Sequence, residues 1–275
     1  MSQETPAEFL ERIGKAASGP CDIATAALML AAMDHPETDL RPFTEHLSEI
    51  AEAAKAEAAF ARSPELAARG LSDLLQGRYG YAGDQVRYDS PDSADIISVI
   101  VNRRGLPVAL GILYIHAARA AGIKAFGLSA PNHFLLMIQA GGGESVIDPF
   151  SGGKMIEHER TAKPPAITEP PPTGRKQVVK PVGDIEVLLR LQNNIKTRAL
   201  DANDQARAIE VLRRMLLLAP GEAPLWLELG KLQEGAEALG AASEAYERSL
   251  QIDRGAAKAA NEAGLALQSL KRRLN

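Results

Sequence analysis

Thiols are nearly absent from this sequence: Cys21 is its one cysteine in 275 residues. That excludes an internal disulfide and a cysteine-built zinc site, and it fits a reducing compartment. Positive charge is not in excess either. With 31 Lys and Arg against 35 Asp and Glu, the formal net charge is −4, so salt-dependent phosphate attraction has no global source and nucleic acid is not an expected partner. Long apolar runs are missing too. No segment approaches the roughly 20 apolar residues needed to span a bilayer, so no membrane partner is expected. Glu4, Glu8 and Glu11 interrupt the first residues in a way that secretory signals do not tolerate. Together these absences predict a cytoplasmic protein. His35, His46, His116 and His158 show no two-ligand spacing on one face, so neither a metal nor a cofactor is expected.

What the sequence does have is helical texture at both ends and a strand-rich middle. From about Pro6 to Gln76 it is rich in Ala, Leu and Glu, with Ile23, Ala27, Leu30 and Ala31 at helical spacing, which predicts a helical layer. Pro36 and Pro42 punctuate that layer, and Gly77 and Gly80 end it. Tyr81 to Asp95 is polar and turn-rich, and reads as a surface loop. Gly105 to Gly122 reads as one helix starting at Pro107, apolar nearly all round and therefore buried. Lys124–Leu128, His133–Gln139 and Ser145–Ile147 read as strands, with Gly141-Gly142-Gly143 as a hairpin turn. The continuous run from Phe134 to Ile138 predicts a strand covered on both faces. A helix against such a sheet makes an α+β core.

Six of the 17 prolines fall between Thr161 and Pro181, a stiff stretch unable to donate backbone bonds and a natural linker. The expected organisation is a core with its helical layer over 1–160, a proline-rich linker over 161–182, and helices over 183–275. The last part shows a period of 34 residues. Trp226, Leu229, Gly230, Ala242 and Tyr246 match Gln192, Ile195, Lys196, Ala208 and Leu212 one period earlier, the earlier copy closing at Pro220. Ala260, Ala263 and Gly264 follow one period later. This segment resembles the tetratricopeptide family over roughly Ile185 to Leu274. The resemblance implies an all-α solenoid with a groove for a protein or peptide partner; a short array that merely packs against the core is the other reading.

The segment Asn102-Arg103-Arg104-Gly105-Leu106-Pro107-Val108-Ala109-Leu110, with Ala118-Arg119-Ala120-Ala121-Gly122-Ile123 after it, resembles the central helix of the transglutaminase-like superfamily. Asn132-His133-Phe134 and Val146-Ile147-Asp148-Pro149-Phe150 fall where that superfamily places its catalytic histidine and aspartate. Core and repeats together resemble the bacterial SirB-type group, whose implied fold is a transglutaminase/papain-like α+β core followed by tetratricopeptide repeats. In such a core a cysteine at the helix N-terminus gains thiolate character, a histidine moves the proton and an aspartate orients the imidazole. The position expected to carry the cysteine is Pro107, flanked by Leu106 and Val108, none of which can attack a carbonyl. His133 and Asp148 thus resemble a remnant pair whose nucleophile is gone.

Three readings follow. One is a non-catalytic interaction or regulatory protein whose repeats recruit a partner. Another is an acyl-transfer or peptidase-like enzyme with a displaced nucleophile, for which Cys21 supplies the one thiol and Ser129 a nearby hydroxyl. The third is a small-molecule-binding module around Asn132, His133 and Asp148. A hydrogen bond between His133 and Asp148 would serve to tie two strands together without catalysis. Arg103-Arg104 is expected to be solvated, or neutralised by Asp95 or Asp148.

Overall fold

The computed structural model describes residues 4–16, 19–57, 62–86, 88–130, 133–156, 180–252 and 258–274. The chain divides into two compact units, one comprising Gly19–Leu191 and the other Met1–Ser18 together with Gln192–Asn275. Most of the expected linker, residues 161–179, lies outside the described residues.

In the first unit, helices α2 (Ile23–Ala32), α3 (Arg41–Ala56) and α4 (Pro64–Ser72) form the helical layer, and a π-helical turn, Asp73–Arg78, extends α4. Asp22 caps α2 through Thr25 N–H, and Ser63 caps α4 through Leu66 N–H with Pro64 at its first position, so each start satisfies a free backbone donor. Next come β1 (Ala82–Gly83), a 3₁₀ turn at Pro91–Ala94, α5 (Ile96–Asn102), β2 (Arg104–Gly105) and α6 (Pro107–Ala120). The expected surface loop Tyr81–Asp95 is only partly one. Tyr81, Asp84 and Ser93 are buried, because β1 pairs in parallel with β2 and pulls the loop onto the start of α6.

A five-stranded antiparallel sheet follows: β3 (Lys124–Ala130), β4 (His133–Ala140), β5 (Gly143–Asp148), β6 (Lys154–Ile156) and β7 (Lys180–Val182), in the order β6-β5-β4-β3-β7. Ala140 pairs with Gly143, and the two residues between them, Gly141 and Gly142, have φ of +56° and +81°. A two-residue turn with both centres left-handed matches strand twist, which is why the sequence needs glycine there. Residues 180–182, expected as linker, are instead an edge strand on β3, where Pro181 is tolerated because an edge has a side that needs no donor.

Helix α6 lies directly on β4 and β3. Of its 14 residues, Val108 to Ile115, Ala117 and Ala118 are all buried. Close approach is possible because Gly111 has no side chain: a methyl there would run into the Phe134 ring. The opposite sheet face carries its own apolar cluster of Leu128, Leu135, Val146 and Met137. Coverage of the Phe134–Ile138 run on both faces is therefore seen, with all but Met137 buried.

The second unit contains α1 (Pro6–Ala16), α8 (Gln205–Leu218), α9 (Ala223–Gly235), α10 (Leu239–Ile252) and α11 (Lys258–Leu274), with the C-terminal part of α7 (Asp184–Asp201). The sequence reading had placed α1 with the core. It packs instead on α8, where Gly14 admits the backbone of Leu217 and Leu218. Successive helices α8 to α11 pack on their neighbours. The Tyr246 ring fills the space over Gly230, 2.5 Å from where a methyl would sit, in a core with Leu227, Ala242, Ala263, Leu267 and Leu270.

Candidate functional site

Pro107 occupies the first turn of α6. The preceding residue, Leu106, is extended, its N–H donating to Ser93 O at 2.8 Å and its carbonyl accepting from Leu110 N–H at 3.0 Å. This is an ordinary proline-started helix. Leu106, Pro107 and Val108, where the resemblance implies a nucleophile, carry no thiol and no hydroxyl, and Pro107 has no N–H to hold an oxyanion.

His133 opens β4 and is exposed. Its carbonyl accepts from Arg190 Nη2 at 2.8 Å, and the Arg190 guanidinium lies 5.6 Å from the centre of the Phe134 ring. Asp148 closes β5. Continuing the Leu136–Ile147 register puts Asp148 across from Leu135, with His133 two residues further on the same face. The two therefore share a face on neighbouring strands, yet no hydrogen bond joins them among the described residues. Asp148 Oδ1 accepts from Phe150 N–H at 2.9 Å and Oδ2 from Ser151 Oγ at 2.7 Å. The strand-tying bond anticipated between imidazole and carboxylate is thus replaced by a turn-capping role, an aspartate's usual competitor for longer-range bonds. Asn132 lies outside the described residues, and so does the side chain of Ser129.

Cys21 sits at the other end of α6. Its N–H donates to Asp184 Oδ2 at 2.8 Å, and its carbonyl accepts from Arg119 Nη1 at 3.4 Å. Burial, with the Asp184 carboxylate second, pushes the thiol up to about 12. Arg119 is twelve residues along the helix from Pro107, about 18 Å at 1.5 Å per residue. The protonated Cys21 thiol is thus remote from Pro107.

Tyr114 was not singled out from the sequence. Among the described residues its buried hydroxyl has no hydrogen-bond partner, and it lies 2.9 Å from where a methyl on Gly153 would stand. Burial, with a smaller contribution from Asp148, raises its pKa. A polar-tipped ring closing the apolar run Val108–Leu113 of a buried helix was the available signal. A second group missed is His46–Tyr81–Arg103. Arg103 Nη1 donates to Tyr81 Oη and approaches His46 Nε2, which lies 2.9 Å from Tyr81 Oη. The guanidinium is stacked 4.8 Å over the Tyr81 ring. Arg103 is therefore not the solvated cation expected, and it is left-handed at φ 57°. Asp95 pairs with His35 at 3.2 Å instead. Burial and the Arg103 charge both lower the His46 pKa.

No group of three or more His, Cys, Asp or Glu among the described residues is placed to hold a metal, and none of their helices is long and apolar enough to cross a membrane. A helix lying on an antiparallel sheet, with histidine and aspartate on adjacent strands beyond its N-terminus, is the plan of a transglutaminase-like protein. The chain belongs to the transglutaminase-like superfamily, whose family model matches residues 41–193. Among curated proteins it is similar to the UPF0162 protein of Xylella fastidiosa strain 9a5c, 26% identical over 204 residues covering 73% of each chain. It also matches the UPF0162 protein of Vibrio cholerae, 27% identical over 138 residues, 50% of this chain and 51% of the relative. The UPF0162 protein YchA of Escherichia coli K12 is 23% identical over 151 residues, 54% and 56% of the two chains.

Proposed function

We propose that this is a non-catalytic interaction or regulatory protein of the cytoplasm, built on a degenerate transglutaminase-like domain, with its C-terminal helices serving as tetratricopeptide-type repeats that dock a protein or peptide. The observation that carries this reading is Pro107 in the first turn of α6, together with an Asp148 carboxylate already taken up by Phe150 and Ser151. An acyl-transfer centre needs an attacking atom and an oriented imidazole, and the described residues place neither a nucleophile at the start of α6 nor a carboxylate on His133.

The repeat reading draws on contacts one period apart. Glu228 accepts from Lys196 at 2.6 Å and Glu262 accepts from Lys231 at 2.8 Å, so acids 34 residues apart bind lysines on the preceding odd-numbered helix. With Gly230 under Tyr246, this is how stacked helix pairs are held. The SirB-type assignment rests on the same combination of core and repeats.

The test is acyl transfer and hydrolysis on thioester and glutamine-amide substrates, comparing the natural chain with His133→Ala. No turnover that depends on His133 is expected. His133-dependent turnover would replace the interaction reading with an enzymatic one.

A further inference from the structure

Three arginines rest on three consecutive residues where the helical layer ends. The Arg78 guanidinium lies 5.4 Å from the centre of the Tyr79 ring. Arg104 Nη1 donates to Gly80 O and to Arg103 O, each at 2.9 Å. Arg103 stacks over the Tyr81 ring and donates to its hydroxyl. The β1–β2 pairing, which sets Ala82 beside Arg104, is what carries the Arg103-Arg104 pair to Gly80 and Tyr81. His46, on α3, meets both rings, with its own ring centred 5.3 Å from Tyr79 and 6.1 Å from Tyr81.

Among the described residues none of the three guanidiniums forms an ion pair. Glu49 lies 3.5 Å from His46 Nδ1, and Asp73, at the start of the π-helical turn that Arg78 ends, pairs with none of them. Arg103 is half-buried, and a cation so placed is ordinarily matched by a carboxylate. Its Nη1 meets only neutral acceptors, Tyr81 Oη and His46 Nε2, and no described residue takes its Nε or Nη2. After burial, the Arg103 charge is what holds the His46 pKa down, the mark of a field that nothing beside it cancels. Arg103 also ends α5 in the left-handed conformation, at φ 57° and ψ 25°, a C-cap position usual for glycine. Backbone strain of this kind persists where a side chain is needed. Gly80 is exposed, and a methyl on it would meet nothing within 4 Å, so there is open space beside the guanidiniums.

A guanidinium fork meets phosphate oxygens two at a time, and more than one fork suits a tetrahedral dianion better than the two oxygens of a carboxylate. We propose that Arg103 and Arg104, with Arg78 at the margin, bind a phosphate group over Gly80, as the free ion or as a small phosphate monoester. The site lies within the transglutaminase-like core, uses neither His133 nor Asp148, and stands whether or not the C-terminal helices recruit a partner.

The probes are inorganic phosphate and glycerol phosphate, titrated into the full chain at constant ionic strength and about pH 7.5, where both are largely dianions. The His46 imidazole signal, followed by NMR, reports occupancy because Arg103 approaches that ring. Saturation with a Kd of about 1 mM or tighter is expected; equal affinity for the two probes assigns the site to the free ion, and tighter binding of the ester to a phosphorylated metabolite. Affinity should fall at least about tenfold in Arg104→Gln and in Arg103→Asn, asparagine being tolerant of the left-handed turn, and stay unchanged in Arg248→Gln on α10. If Arg103→Asn fails to fold, the double variant Arg78→Gln/Arg104→Gln, at two exposed positions, gives the same reading. Three results overturn the proposal. One is no saturation by either probe up to about 20 mM. The second is an equal response to acetate at the same ionic strength, which is screening alone. The third is affinity undiminished in the arginine variants.

Discussion

Asp184 receives both terminal nitrogens of Arg119, at 2.6 and 2.7 Å, while the same carboxylate accepts the Cys21 N–H. Arg119 also donates to Ala125 O at 3.1 Å. One buried carboxylate thereby ties the C-terminal turn of α6 and the start of β3 to the segment before α2 and to the first turn of α7. Breaking such a pair from one side strands an uncompensated charge, at a cost of about 3–5 kcal/mol. Asp184→Ala should lose that much in urea unfolding, and the double variant Arg119→Met/Asp184→Leu markedly less. Equal losses from both would show that packing, not charge, holds the corner.

Because its thiol is held protonated, Cys21 should alkylate slowly at neutral pH and accelerate only well above the ordinary cysteine range. The sign for stability follows. The folded state keeps a proton that the unfolded thiol loses near pH 8.5, so the contribution is intact below that pH and is lost as pH rises toward about 12. A Cys21→Ala variant should show a flatter decline in denaturation midpoint across this alkaline window.

His46 titrates in the opposite sense. Its folded pKa is depressed, first by burial and then by Arg103, so the unfolded state takes up the proton first as pH falls below about 6.5. Stability from this site is present above that pH and drains away below it. His46→Gln should reduce the difference between urea midpoints measured at about pH 7.5 and 5.5; an unchanged difference would place the acid sensitivity elsewhere.

Pro107→Cys would put a thiol in the first turn of α6, where the helix dipole favours the thiolate. We expect the new cysteine to alkylate faster than Cys21 in the same molecule, read by peptide mass spectrometry. Thioester substrates should acylate it without catalytic turnover, since Asp148 is bound to Phe150 and Ser151 rather than to His133. Rapid multiple turnover would mean that the imidazole needs no orienting carboxylate here.

Gly230→Ala should destabilise the helical unit by about 1–3 kcal/mol, an overpacking cost, because the new methyl meets the Tyr246 ring. In a double-mutant cycle Tyr246→Leu should recover part of that loss; strict additivity of the two changes would mean that the rings and helix backbone are not in the contact described.

The elements that could be read from the sequence were those governed by local rules. The start of α6 at Pro107, the Gly141-Gly142 turn and the doubly covered β4 each follow from a residue's own backbone limits or from an unbroken apolar run. The elements that escaped depend on partners remote in sequence. β7 is a strand only because β3 is there to pair with it, and nothing in Lys180-Pro181-Val182 favours a strand by itself. Within the site, the positions of His133 and Asp148 on adjacent strands were legible through resemblance. Their failure to join was not, because it turns on Ser151 and the Phe150 N–H competing at shorter range. Arg103 was misjudged for a similar reason: its partners His46 and Tyr81 lie 57 and 22 residues away.

The pairing of α1 with α8 also carries a schedule. Leu10 is fully buried and Gly14 abuts Leu217 and Leu218, so α1 finds its seat only after some two hundred further residues have been made. At about 5–20 residues per second this is a wait of roughly 10–40 s, during which the whole transglutaminase-like core emerges and has time to close. Throughout that interval the apolar stripe of α1 is open to chaperones, and the helical unit closes only when α8 meets a helix made long before it.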